Sequence, residues 1–327
     1  MSAQLDGLQP LDTPALNILP ITDPALRYHG AKFRLAPWLQ QFFPPHRCYT
    51  EAFGGAAGVL LKKPRCYAEV YNDLDGSIVN FFRVLRDPTM RAQLVEALHW
   101  TPFARDEFVL AYEPVTEGDP VESARRVAIR AAMGFGSAGA TKGRTGFRTD
   151  TTRSYSTAQH VWVRYPDTLL AIGQRLGGVL IENRPAAEVL RRHDAADTLH
   201  YVDPPYLLAT RVMNRGRRYY AHELDDHEHI ELLDVLRSLK GMVVLSGYPS
   251  PLYDELLPGW QRHTTKSPIS AARGTVTRDE VVWINPRCVQ ALTMADGLFA
   301  ECAATTIADA GSNPLGERPA TADNVHA

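Results

Sequence analysis

Between residues 24 and 289 the chain alternates short apolar runs with longer amphipathic ones, the pattern of an α/β domain built on a largely parallel sheet. Cys48–Phe53 predicts a strand that ends in Gly54-Gly55-Ala56-Ala57-Gly58 and runs into the helical stretch Val59-Leu60-Leu61. Cys66–Tyr71 predicts a second strand, ending at Asn72-Asp73. From Leu74 to Arg86 the apolar positions Ile78, Val79, Phe82 and Leu85 recur at helical spacing, so the segment opens like a doubly wound sheet. The strand pattern resumes at Val179-Leu180-Ile181-Glu182, at Leu199-His200-Tyr201-Val202 and at Met242-Val243-Val244-Leu245-Ser246. Glu280–Asn285 predicts a late strand, which an antiparallel hairpin would accommodate.

Residues 87–165 break this rhythm. A helical stretch is expected over 90–111, followed by a Gly-, Ser-, Thr- and Arg-rich segment from Gly134 to Tyr155 with few strong core positions, the signature of an insertion. Residues 1–23 and 290–327 lack periodicity and predict disordered tails.

Charge sharpens this division. The formal net charge is −2, but residues 1–23 carry −3 and residues 291–327 carry −4, which leaves +5 on the body between them. Residues 121–165 hold eight basic groups, Arg125, Arg126, Arg130, Lys142, Arg144, Arg148, Arg153 and Arg164, against Glu122 and Asp150. Arg211, Arg215, Arg217 and Arg218 form a second cluster with no acid between 207 and 220. Such clusters can neutralise phosphates and steer a polyanion, although solvated basic loops look the same in isolation. No apolar run approaches the roughly 18 residues of a membrane span, and the start has neither the basic flank nor the apolar stretch of a secretory signal. Cys48, Cys66, Cys288 and Cys302 follow no metal or disulfide spacing, so reduced thiols are expected.

Two places carry chemistry. The glycine turn after Phe53 lets the backbone approach a nucleotide-like cofactor, but Gly54, Gly55 and Gly58 do not make the GxGxxG of dinucleotide folds. Asp73, at a strand end, is placed to accept hydrogen bonds from ribose hydroxyls; the competing role is a helix N-cap ahead of Leu74. Asp203-Pro204-Pro205-Tyr206 follows an apolar strand at its carboxyl end, where open α/β sheets bind ligands. Two prolines offer carbonyls without N–H groups, and Asp203 adds a carboxylate, so this edge can accept both hydrogens of a primary amine. Tyr206 offers a flat face for a base taken out of its stack.

Tyr28-His29-Gly30-Ala31-Lys32, Glu51-Ala52-Phe53-Gly54-Gly55, Tyr71-Asn72-Asp73-Leu74-Asp75 and Asp203-Pro204-Pro205-Tyr206 occur in the order seen in Dam-type (DPPY, alpha-group) adenine-specific DNA methyltransferases, which the chain resembles over roughly residues 26–288. The resemblance implies a Rossmann-like S-adenosylmethionine-dependent fold with a mixed seven-stranded sheet and an inserted target-recognition module. Residues 24–86 and 166–289 would form the catalytic domain and 87–165 the insert. It implies that Tyr28, Lys32, Glu51, Phe53, Gly54, Gly55, Asp73 and Asp203 bind S-adenosylmethionine, and that Asp203, Pro204, Pro205 and Tyr206 act on adenine. One departure stands out: the family's Phe-x-Gly-x-Gly reads Phe53-Gly54-Gly55-Ala56-Ala57, with alanine last.

The expected substrate is double-stranded DNA, contacted by Lys142, Arg144, Arg148, Arg153, Arg217 and Arg218. No metal is expected, because attack on a sulfonium methyl needs no Lewis acid. The enzyme is expected to act as a monomer or homodimer in the cytoplasm of a bacterial or phage-infected cell, near the nucleoid. The rival readings are an RNA adenine methyltransferase and a catalytically silent DNA-binding protein on the same scaffold.

Overall fold

The computed structural model describes residues 20–116, 118–137, 139–140, 144–149, 151, 157–210, 220–271 and 274–295. Seven strands form one sheet: β1 (Cys48–Glu51), β2 (Ala68–Asn72), β3 (Leu180–Glu182), β4 (Thr198–Val202), β5 (Met242–Gly247), β6 (Gln261–Ala271) and β7 (Gly274–Ile284). Their order is β3-β2-β1-β4-β5-β7-β6. The first five are parallel, and β7 runs antiparallel between β5 and β6. Reversal of strand order at β1/β4 is the switch point of a doubly wound sheet, so the crevice beyond the carboxyl ends of these two strands is the natural ligand site. This is the expected Rossmann-like fold with a mixed seven-stranded sheet.

The helices are α1 (Ala36–Leu39), α2 (Gly58–Lys62), α3 (Gly76–Arg86), α4 (Pro88–His99), α5 (Arg105–Leu110), α6 (Pro120–Met133), α7 (Ala158–Arg175), α8 (Ala186–Arg192), α9 (Asp226–Ser238) and α10 (Pro251–Leu256). They cover both faces of the sheet, which explains why β4 and β5 are buried along their whole length. Alternation sorts the side chains: Leu199, Tyr201 and Val244 face a core with Ile78, Phe82 and Leu85. Val202, Val243 and Leu245 face a second core with Leu233, Leu236 and Trp283.

The structure departs from the sequence pattern in three places. The helical stretch expected over 90–111 is two helices, α4 and α5, separated at Trp100–Ala104, where Pro102 cannot extend the first. The late strand is longer than its apolar half, because β7 pairs with β6 along an eleven-residue hairpin, and only Val281–Ile284 pair with β5. The chain is helical over 286–295, past the expected start of the C-terminal tail at 290. Asn285 caps that helix by accepting the Cys288 amide at 2.9 Å, and Cys288 with Val289 and Leu292 packs on the core.

Residues 87–165 share this core rather than standing off it, contributing Leu94, Leu98, Phe108, Val127 and Trp162. The Trp162 indole donates to the Thr101 carbonyl at 2.8 Å, and α7 runs unbroken across position 165. No helix among the described residues is long and apolar enough to cross a membrane.

Candidate active site

A cavity of about 910 Å³ opens at the carboxyl ends of β1, β2 and β4. Every expected cofactor-binding residue lines it: Tyr28, Lys32, Glu51, Phe53, Gly54, Gly55, Asp73 and Asp203. Pro205 lines it too, whereas Pro204 and Tyr206 do not.

The glycine turn is shaped by its neighbours. A Cβ on Gly54 would collide with the Tyr71 ring, and one on Gly55, at φ +47°, would come within 2.9 Å of the Tyr28 ring. Tyr71 donates its hydroxyl to the Gly55 carbonyl at 2.7 Å, which pins the turn. Ala57 adopts the left-handed conformation, φ 55° and ψ 30°, and is the only non-glycine residue described that does so. This is the position where the resembled family has glycine, so the alanine carries backbone strain that glycine would not.

Asp73 is not a helix N-cap. Asp75 holds that post for α3, accepting the Ser77 amide at 2.9 Å. Asp73 instead accepts the amides of Gly55 and Asp75, both at 2.8 Å, and burial raises its carboxyl above the ordinary value against those two bonds. A carboxylate has about four acceptor sites, so capacity remains for ribose hydroxyls. Glu51 is 2% exposed and accepts from the Tyr49 hydroxyl at 2.7 Å and the Leu60 amide at 2.8 Å. Burial pushes its carboxyl up to about 8. The cavity, the open glycine backbone and the spare acceptors of Asp73 together suit an adenosyl group, and S-adenosylmethionine fits this donor and acceptor set.

At the end of β4, the two oxygens of Asp203 are held by different partners. Oδ1 accepts the Ser246 hydroxyl at 2.7 Å, and Oδ2 accepts the Lys32 ammonium at 3.0 Å. Lys32 is 6% exposed and also donates to the Gly30 carbonyl at 2.9 Å. Burial alone would lower its pKa, but the charges of Asp203 and Glu280 outweigh that and hold it above the ordinary value. The Lys32 ammonium lies over the Tyr206 ring, 4.8 Å from its centroid. Tyr206 donates its hydroxyl to Glu280 at 2.8 Å and meets Tyr248 edge to face at 4.4 Å. Burial, with the Asp203 and Glu280 charges, raises the Tyr206 phenol well above its usual range.

Ser246, Tyr248 and Glu280 therefore belong to the centre and were missed. Ser246 had a signal, a polar residue at the carboxyl end of an apolar strand. Glu280 had none, because an antiparallel neighbour of β5 cannot be placed from pattern alone.

Among the expected DNA contacts, Lys142, Arg153, Arg217 and Arg218 lie outside the described residues. Arg144 is exposed, pairs with Glu113 at 3.2 Å and lies over the Tyr112 ring. Arg148 donates to the Ala132 carbonyl at 3.3 Å. Much of the neighbouring positive charge is internally engaged. Arg125 bonds Glu122 and Glu107, Arg126 bonds Glu122 and two carbonyls, and Arg130 bonds the Ala111 carbonyl.

Two solved structures resemble the chain weakly. Precorrin 8w decarboxylase from Methanobacterium thermoautotrophicum aligns at 11% identity and a TM-score of 0.30, covering 77% of this chain and 88% of that one. The yhhF protein of Escherichia coli, provisionally named a methyltransferase, aligns at 11% identity and a TM-score of 0.29, covering 77% and 82%. No curated relative matches the chain. The profile of one family does match, over residues 28–266, a span that runs from Tyr28 through Asp73 and Asp203 into the terminal hairpin. The chain belongs to the D12 class N6 adenine-specific DNA methyltransferase family.

Proposed function

We propose that this D12 enzyme is of the Dam type, methylating N6 of an adenine flipped out of duplex DNA. Asp203 and the Pro204 carbonyl hold the target amine, and S-adenosylmethionine lies against Tyr28, Gly54, Gly55 and Asp73. The supporting observation is that Asp203, held by Lys32 and Ser246, faces the same cavity as Asp73 and the glycine turn. One wall thus offers acceptors for a ribose and the other an acceptor for an amine.

When bound, S-adenosylmethionine supplies an electrophilic methyl on a sulfonium. The chain's own residues supply position. Asp203 and the Pro204 carbonyl accept the two amine hydrogens, which turns the nitrogen lone pair toward the cavity. Lys32 and Ser246 keep the carboxylate from rotating. Tyr206 receives the base against its ring, where stacking offsets the cost of leaving the duplex. The amine proton released on methylation leaves by way of the Asp203 carboxylate to solvent.

Residues 87–165 form the target-recognition region in this reading, with Lys142, Arg144, Arg148, Arg153, Arg217 and Arg218 on phosphates or base edges. Family membership names DNA rather than RNA as substrate.

The test compares wild type with Asp203→Asn, using labelled S-adenosylmethionine, genomic DNA lacking N6-methyladenine and calorimetry of cofactor binding. Transfer is expected to fall at least about 100-fold with cofactor binding retained. Unchanged methylation by Asp203→Asn sinks the assignment. Sequencing the methylated product then reads the recognition site, and a single-stranded substrate tests the preference for duplex.

A further inference from the structure

Glu280 stands on β7, a strand outside the parallel core, yet its carboxylate reaches the catalytic loop. It is 6% exposed, accepts the Tyr206 hydroxyl at 2.8 Å, and acts with Asp203 on the charge of Lys32. Burial raises its carboxyl above the usual range, against Lys32 and the Tyr206 hydroxyl. The next residue, Val281, pairs with Gly247, so Glu280 lies beside Tyr248, whose ring meets Tyr206. Two positions earlier on the same face of β7, Arg278 lies over the Tyr248 ring at 5.2 Å.

A buried acid on a strand is a costly way to achieve stability alone, since apolar packing of similar volume serves as well or better. What the acid adds is direction. A phenol tethered at its oxygen cannot swing about χ1 or tilt with the loop, so the long axis of the Tyr206 ring is set by a rigid strand rather than by the loop after β4.

We propose that Glu280 is a positioning residue for methyl transfer: by tethering the Tyr206 hydroxyl and sharing Lys32 with Asp203, it fixes the ring that receives the target adenine and the carboxylate that holds its amine. This rests on the Dam-type reading of Asp203-Pro204-Pro205-Tyr206. The Tyr206 hydroxyl then has a mechanical role of its own, separate from the stacking face, and Glu280 and Tyr206 act as one unit.

The test is a double-mutant cycle on the full-length enzyme with Glu280→Ala, Tyr206→Phe and both together. It reads single-turnover methyl transfer to genomic DNA lacking N6-methyladenine, with separate measurements of S-adenosylmethionine and DNA affinity. Each single variant is expected to slow transfer about tenfold, the worth of one lost charge-assisted hydrogen bond. The double variant should be no slower than Glu280→Ala, and both affinities should stay within about twofold of wild type. Glu280→Gln, which keeps an acceptor for the phenol, should recover part of the rate, and it takes the place of Glu280→Ala in the cycle if that variant does not fold.

Losses that multiply in the double variant, a loss confined to binding, or no loss at all overturns the role of Glu280. Those outcomes with Asp203→Asn inactive leave the functional reading standing. Transfer that persists in Asp203→Asn removes that reading and this one with it.

Discussion

Two buried ion clusters lie at opposite ends of the same sheet, and they differ in how completely they are closed. Near the amino end of β2, Glu69 accepts both guanidinium nitrogens of Arg175, at 2.6 and 2.8 Å, and the Lys63 ammonium at 3.0 Å. Arg175 spends its remaining reach on the Leu60 carbonyl at 2.7 Å. At the carboxyl end of β4, Asp203 takes one donor on each oxygen and keeps acceptor capacity toward a cavity. The first cluster ties α7 and the segment after α2 to the sheet. The second is held just firmly enough to keep its shape while leaving room for a ligand. Charge burial by itself is therefore no mark of function; incompletely satisfied charge facing a cavity is.

The sharpest way to break the comparison is to remove the centre of each cluster. Arg175→Met should cost about 3–5 kcal/mol of stability, because it removes both guanidinium bonds from buried Glu69 and leaves it Lys63 alone, while folded molecules transfer methyl groups at the normal rate. Urea unfolding and an activity assay corrected for folded protein check both halves. Asp203→Asn should show the reverse emphasis, with rate lost and a folded enzyme recovered at 25 °C. A variant pair that lost rate and stability in equal proportion would erase the distinction.

The two acids also titrate with opposite sign. Glu69 is held below its usual range: burial alone would raise it, but Arg175 and Lys63 outweigh that, so its contribution is lost as pH falls. Glu51 is raised from 4.5 to about 8 by burial, so between those values the folded state keeps a proton that the unfolded chain has released. That contribution to stability is full below about 4.5 and is lost as pH rises toward about 8. Glu51→Gln should flatten this part of the stability–pH curve. Thermal melts at pH 5, 6.5 and 8 decide it, and an unchanged slope would show that Glu51 ionises normally.

The smallest effect is expected at Ala57. Its left-handed backbone stores strain of about 1–2 kcal/mol, whereas glycine adds about 0.5–1 kcal/mol of unfolded-chain entropy. Ala57→Gly should therefore stabilise by no more than about 1 kcal/mol, seen as a rise in melting temperature without change in cofactor affinity. A fall in melting temperature would mean that the alanine methyl contributes packing that outweighs its strain.

Much of the site was legible before the fold. Asp73, the glycine turn and Asp203-Pro204-Pro205-Tyr206 announce themselves because each sits at the end of an apolar run, and strand ends can be read from period-two patterns. The long hairpin was not legible. Its outer half, Lys266 to Ala271 with Gly274 to Asp279, pairs only with itself, and its Ser-, Thr-, Gly- and charge-rich sequence carries no sustained period-two apolar run. The basic segment after α5 misled in a different way. Arg125, Arg126 and Arg130 counted toward a basic cluster able to neutralise phosphates, but they bond acids and carbonyls of the protein itself. Composition counts charges without knowing which have partners.

By itself, the sequence determined the strands of the doubly wound core, the glycine turn after β1 and the Asp203-Pro204-Pro205-Tyr206 edge after β4, since all three follow from local periodicity and from residues adjacent in the chain. Only the tertiary structure decided what surrounds Asp203. Lys32 arrives from 171 residues away in the chain, Ser246 from 43, and Glu280 reaches Tyr206 across 74. Contacts of that range depend on the order in which strands lie side by side, and strand order is a property of the packed sheet that no single segment encodes.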